Sequence, residues 1–189
     1  MSSTDEYIEH MEAHRAEKDE FFGDHPQSPI PPDQRGEFDG LDYFQPDPDY
    51  RYELELHEHD EKETIAVATT TEGEREYLDW GEFRFEVDDE SCTLQAYKAS
   101  PDEDRLWVPF RDETNGEETY GAGRYLDLEA EHHERDGIWL VDFNQAYNPY
   151  CAYSDRYECP LIPMDNWLDV RIEAGEKVYH SAEAYEGAH

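Results

Sequence analysis

From Tyr50 onward apolar and charged residues alternate. Tyr50, Tyr52, Leu54 and Leu56 are interleaved with Arg51, Glu53 and Glu55, and a period of two gives a strand one dry and one wet face. Residues 64–71, 82–87, 92–97, 106–112, 123–128, 138–143 and 167–172 have the same strand character and are bounded by turn-forming residues. Ahead of them the period is 3.6. Tyr7, Ile8, Met11, Arg15, Lys18 and Phe22 fall on one helical face, Ser3-x-x-Glu6 has the spacing of a capping box, and Gly23 and Pro26 stop the run. This predicts one amphipathic helix over residues 4–22. Ser28-Pro29-Ile30-Pro31-Pro32 is extended and short of ladder donors, and Phe38, Leu41, Tyr43 and Phe44 are placed to anchor that arm. About eight short strands after one helix predict a mainly β fold, an antiparallel β-barrel or sandwich, and exclude a parallel α/β sheet. The expected organisation is a helix and arm over residues 1–26, one β-rich domain over 27–177 and a loose tail over 178–189.

Charge changes the picture of the solvent rather than of the fold. The 189 residues hold 15 Lys and Arg against 50 Asp and Glu, a formal charge of −35, and the isoelectric point is near 4.2. Such a surface repels nucleic acid and anionic membranes. Disorder, the other reading of high charge, does not fit four Trp, fourteen Tyr and eight Phe. Acids spread along the whole chain suggest a cytoplasm of molar salt, as in halophilic archaea, where a screening length of roughly 3 Å at 1 M relieves self-repulsion. The protein is therefore expected to be soluble, cytoplasmic and dependent on high salt. Met1-Ser2-Ser3-Thr4-Asp5-Glu6 resembles no signal segment, and no apolar run nears the roughly 20 residues of a membrane span. Cys92, Cys151 and Cys159 are too few for a secreted disulfide scaffold.

Candidate chemistry concentrates in residues 109–166. Asn115-Gly116 between two alternating segments predicts a two-residue type I′ hairpin, with Thr114 opposite Glu117 and Asp112 opposite Thr119. Gly121-Ala122-Gly123 predicts a bulge or a close backbone approach. It is not a dinucleotide loop, because the third glycine would fall at Leu126. Asp112, Asp142 and Arg124 each share a strand face with apolar residues, and buried charges persist only when paired. Arg124 is expected to pair with Asp112, Asp142 or both, either fixing register or binding an anion. Strict hairpin register turns Arg124 towards Trp107 and Arg111, and only a bulge at the glycines restores it. Residues 144–166 follow neither period and carry four Tyr, three Pro, Cys151 and Cys159; loops of that length are often functional. The two cysteines are buried thiols, a disulfide, a nucleophile or two ligands of a metal. By the even-numbered apolar phase of residues 50–56, His57 and His59 face solvent, and His132-His133 fall in an acidic linker. No histidine then lies naturally beside a nucleophile.

Phe110-Arg111-Asp112-x-Thr114-x-Gly116-x-Glu118-Thr119-Tyr120-Gly121-x-Gly123-Arg124, then Asp142-Phe143-Asn144-x-Ala146-Tyr147-Asn148-Pro149-x-Cys151-Ala152-Tyr153 and Ala174-Gly175-Glu176, closely resemble the family catalogued as domain of unknown function 1684. Arg15-x-x-Lys18-Asp19-x-Phe21-Phe22 resembles its N-terminal signature, so the resemblance spans residues 7–177. It implies no established activity and leaves the cofactor unknown. The residues favour a binding module whose interior or mouth, lined by Arg111, Asp112, Thr119, Tyr120, Arg124, Asp142, Asn144, Tyr147 and Asn148, holds a small polar or anionic ligand. A hydrolase would use Asp112 or Asp142 as acid or base, or Cys151 or Cys159 as nucleophile or metal ligand. A third class is a structural polar network, with function in protein contacts.

Overall fold

The computed structural model describes residues 3–33, 35–38, 40–70, 73–153 and 159–178, with only the backbone of Ser3, Glu37 and Cys151. The expected capping by the Ser3 side chain and most of the expected tail lie outside the described residues. Helix α1 (Ser3–Asp24) carries the predicted stripe. Only Met11 and Phe22 on it are fully buried apolar residues; Tyr7, Arg15 and Lys18 share their face and bring polar groups to the body.

The strands are β1 (Arg51–Glu55), β2 (His57–Ala68), β3 (Glu74–Val87), β4 (Glu90–Lys98), β5 (Arg105–Phe110), β6 (Arg124–Glu129), β7 (Glu134–Arg135) and β8 (Ile138–Asp142), with a short helix α2 (Ala130–His133) before β7. They form two antiparallel sheets, one ordered β2-β3-β4-β5-β6 and one ordered β1-β8-β7. Phe83, Phe85, Leu94, Leu106, Val108, Phe110 and Leu126 of the larger sheet pack against Trp139 and Val141 of β8, with Tyr52 and Leu54 of β1 alongside. The sheets are not closed into a barrel. Leu56 separates β1 from β2, and the two strands pair into different sheets. That break also shifts the side-chain phase. His59 therefore does not face solvent as the alternation predicts, but sits 2.7 Å from Gln95 Oε1 and 3.3 Å from an Asp79 oxygen.

Two hairpin turns have the positive φ at both central positions that a type I′ turn requires: Asp88-Asp89, at 51° and 68°, and Asp136-Gly137, at 55° and 85°. The predicted hairpin at Asn115-Gly116 is not one of them. Only Gly116 has positive φ there, and the Thr114 carbonyl instead accepts from the amides of Glu117, Glu118 and Thr119. Asn115 spends its side chain on Asp112 and Thr119. Freed from strict hairpin register, β6 pairs Arg124 with Phe110 and Leu126 with Val108, so Arg124 points into the core. Gly123 makes the shift sterically feasible. Its φ is +104°, and a Cβ there would lie 2.7 Å from the Phe110 carbonyl oxygen.

Residues 167–172 do not form the predicted strand. Burial keeps the period of two at Val170 and Ile172, but the hydrogen-bond partners are irregular: Glu113 N donates to Val170 O, and Ile172 N to the Asp112 carboxylate. A parallel bridge joins Arg111 to Trp167, and beyond Val170 a side chain takes the place of the backbone acceptor. Asn166 does the same where β4 and β5 diverge beyond the single pair Tyr97–Trp107. Its amide accepts from Gln95 N at 2.7 Å and donates to the carbonyls of Gln95 and Pro109 at 2.9 and 2.7 Å. Pro109, which lacks an N–H, is tolerated inside the sheet because its β4 side is bridged by that amide.

Candidate functional site

Arg124 is fully buried, and the fold consumes most of its donors. Nη1 donates to the carbonyls of Ala174 and Glu176, Nη2 donates to the Ile172 carbonyl at 2.9 Å, and Nη2 lies 3.5 Å from Asp112 Oδ1. Nε has no hydrogen-bond partner among the described residues. Burial pulls the guanidinium pKa down and the Asp112 charge pushes it back up. Asp112 also accepts from Thr114 Oγ1 at 2.8 Å, from Asn115 Nδ2 at 3.1 Å and from the Ile172 amide at 2.7 Å. Thr119 closes this group through the hydroxyl of Thr114 at 2.8 Å. The partnership of Arg124 with Asp112 is present. Asp142 belongs to a different set.

That second set lies where α1 crosses the body. Asp142 accepts from the Tyr7 hydroxyl at 2.6 Å and from the amide and side chain of Asn144 at 2.9 and 2.8 Å. Burial, and then the neighbouring Asp142, raises the Tyr7 pKa. Asn144 in turn clasps the backbone of Asp47. Arg15 donates to the carbonyls of Phe44 and Asn144. Nearby, Glu176 is 1% exposed; it takes Lys18 Nζ at 2.5 Å, the Asn148 amide at 2.6 Å and the Tyr153 hydroxyl at 3.0 Å. Asn148 also donates to the Lys177 carbonyl. Gly175, with φ +84°, lets this segment approach the carbonyls of Phe143 and Ala146 within 2.7 and 2.8 Å of where a Cβ would be.

The other expected residues lie apart from these sets. Tyr147 donates to Asp127, and Arg111 stacks at 4.6 Å over the ring of Trp167, half-exposed. Tyr120 packs with Ala152 and Cys159. Cys159 is buried, whereas the Cys151 side chain, and with it the pairing of the two cysteines, lies outside the described residues. Among the described residues no three His, Cys, Asp or Glu side chains gather to hold a metal, and no helix is long and apolar enough to cross a membrane. Tyr7, Arg15, Lys18 and Glu176 were not singled out as site residues by sequence. Their available signal was a polar residue on an otherwise apolar helical stripe, and an acid between Ala174 and Val178.

A separate opening lies on the outer face of the larger sheet. Residues 159–161 run beside the end of β2, with Leu161 N donating to Ala68 O, and the turn Met164–Asn166 is fixed by Asn166 as described. Between them runs a groove of about 320 Å³, walled by Ile65, Val67, Ile162 and Met164 and floored by Asp79, Tyr97 and Asp165. Asp79 and Tyr97 are direct cross-strand partners. Tyr97 is 1% exposed, its hydroxyl end feels Asp79 and Asp165, and it makes no hydrogen bond to another described residue. Burial raises the pKa of Asp79, opposed by His59. His59 Nε2 is 3.3 Å from Asp79 Oδ1 but not aligned to hydrogen-bond it. Leu161, Met164 and Trp167, at 40%, 74% and 46% exposure, stand along this segment.

Two sheets packed over a shared core, with a polar-faced helix across one end, define a mainly β class of protein. Residues 36–177 match the family model described as a protein of unknown function (DUF1684), and the chain belongs to that family. It is similar to a solution NMR structure of an uncharacterized protein from gene locus rrnAC0354 of Haloarcula marismortui, at 45% identity and a TM-score of 0.70, covering 92% of this chain and 95% of that one. No curated protein matches.

Proposed function

We propose that this chain is a small-ligand binding module whose interior polar network is a lock and whose ligand site is the outer groove between β2 and residues 161–165. The observation that carries this reading is a contrast in satisfaction. Asp112 and Asp142 accept hydrogen bonds from several protein donors, and Arg124 directs both Nη atoms at protein acceptors. The Tyr97 hydroxyl, by contrast, borders the groove without a hydrogen-bond partner among the described residues. A pocket with apolar walls, few polar groups and a rim pinned by backbone hydrogen bonds is the usual form of a small-molecule site. The same contrast speaks against an anion on Arg124 and against Asp112 or Asp142 as a general acid or base, because both Nη atoms of Arg124 and the two carboxylates already have protein partners, which leaves only the buried Nε of Arg124 unengaged among the described residues. Kinship with a chain from Haloarcula marismortui and the charge of −35 support assay in molar salt.

The test is a fragment screen by ¹H–¹⁵N NMR in molar KCl. Amide shifts clustering at Val67, Tyr97, Ile162 and Met164 are expected. Shifts confined to Arg124, Asn144 and Asn148 would return the ligand to the interior. A lock with function elsewhere is the second reading, and it predicts no saturable shift at either place.

A further inference from the structure

We propose that the groove takes the ammonium group of a small primary alkylamine, held between Asp79, Asp165 and the Tyr97 hydroxyl, with its chain along Val67, Ile162 and Met164. This rests on the groove being the ligand site and adds the chemical class. An ammonium carries three donors and no acceptor. The floor offers two carboxylates and one phenol oxygen, while Lys62 and Lys98 lie over Trp80, and Arg111 over Trp167. The charged and titratable groups felt at Asp79 are His59, Asp165, Glu63 and Glu82, three of them acidic. A carboxylate so placed, with burial raising its pKa, gains from a counter-charge, and of the groups named above only His59 offers one.

Acidic residues cover much of this surface, and most are solvated. This pair differs because it flanks a tyrosine that is 1% exposed and whose hydroxyl has no described partner. It differs also because the walls are apolar. Ile162 is held by the donation of Trp167 Nε1 to its carbonyl at 3.0 Å, and Val67 and Ile162 belong to the outer cluster with Trp107 and Tyr125. An inorganic cation would use the carboxylates and gain nothing from those walls. An alkyl chain gains with each methylene it buries against them.

Titration with n-hexylammonium in molar KCl, followed by ¹H–¹⁵N NMR, tests this, with 1-hexanol as the neutral analogue. Saturable shifts at Tyr97, Ile162 and Met164 are expected, with hexylammonium binding at least tenfold tighter than hexanol. Asp79→Asn and Asp165→Asn should each weaken hexylammonium severalfold, and by more than they weaken hexanol. Asp165 is exposed, so its variant tests the charge even if Asp79→Asn unfolds the protein. Equal binding of hexanol would overturn the ammonium while sparing the groove. Absence of shifts with both probes would overturn both. Linear shifts spread over acidic residues would mean unspecific attraction and overturn the proposal. Tighter binding of Nα-acetyl-lysine amide than of hexylammonium would replace the free amine with a lysine presented by a peptide.

Discussion

Arg124 joins segments far apart in sequence. Its two Nη atoms reach Ala174, Glu176, Ile172 and Asp112 from β6. Lysine keeps the charge but cannot fork, so Arg124→Lys leaves carbonyls and a buried carboxylate undersatisfied. We expect a loss of about 3 kcal/mol or more in urea unfolding in molar KCl, against less than about 1 kcal/mol for Arg111→Lys, whose stacking on Trp167 is half-exposed. Asp127 is a second informative residue. Burial raises its pKa despite the Tyr147 hydroxyl, which favours the charged form. A carboxyl with its folded pKa above the unfolded one binds its proton more tightly when folded. Stability from it therefore rises as pH falls from the raised value towards the ordinary carboxylate range near about 4. Asp127→Asn should remove that part of the pH dependence, read as a smaller gain in unfolding free energy on acidification. At this scale the pairing of Arg124 with Asp112 was legible, because a charge on an apolar face demands a partner. Glu176 as partner of Lys18 was not, since nothing local links residues 158 positions apart.

Among the elements, α1 is held by polar contacts at Tyr7, Arg15 and Lys18 as much as by its buried Met11 and Phe22. The hairpins divide by turn chemistry. Asp136-Gly137 suits its left-handed turn, but Asp88-Asp89 places two β-carbons at positive φ. Asp88→Asn with Asp89→Gly should therefore stabilise the β3–β4 hairpin by roughly 1 kcal/mol, seen as a higher melting temperature with unchanged circular dichroism. The Asn115-Gly116 signal misled because the Asn115 side chain is drawn to Asp112 and Thr119. Residues 57–63 and 74–81 escaped the strand pattern because these extensions of β2 and β3 carry many exposed charges and little apolar alternation. In residues 167–172 the periodicity was right but only an isolated bridge to Arg111 forms, because the Asp112 carboxylate takes the Ile172 amide that a ladder would have used.

The whole molecule carries its charge of −35 on a mainly β body. At about 0.1 M salt the screening length is near 10 Å, so neighbouring acids repel; at about 1 M it is near 3 Å. We expect the melting temperature to climb steeply between those concentrations and then level off; a flat profile would show that the acids do not limit the fold. Sequence by itself determined the strand-rich class, the one long helix and its inward stripe, the buried pairing of Arg124, the close backbone approach at Gly123 and the acidic character. These follow from local periodicity, steric demands and charge. Tertiary structure alone decided that β1 and β2 part into separate sheets, that Lys18 meets Glu176, and that Asp79, Tyr97 and Asp165 border one groove. Side-chain phase can be read along a strand, but the register between strands and the path of an irregular segment depend on packing summed over the molecule.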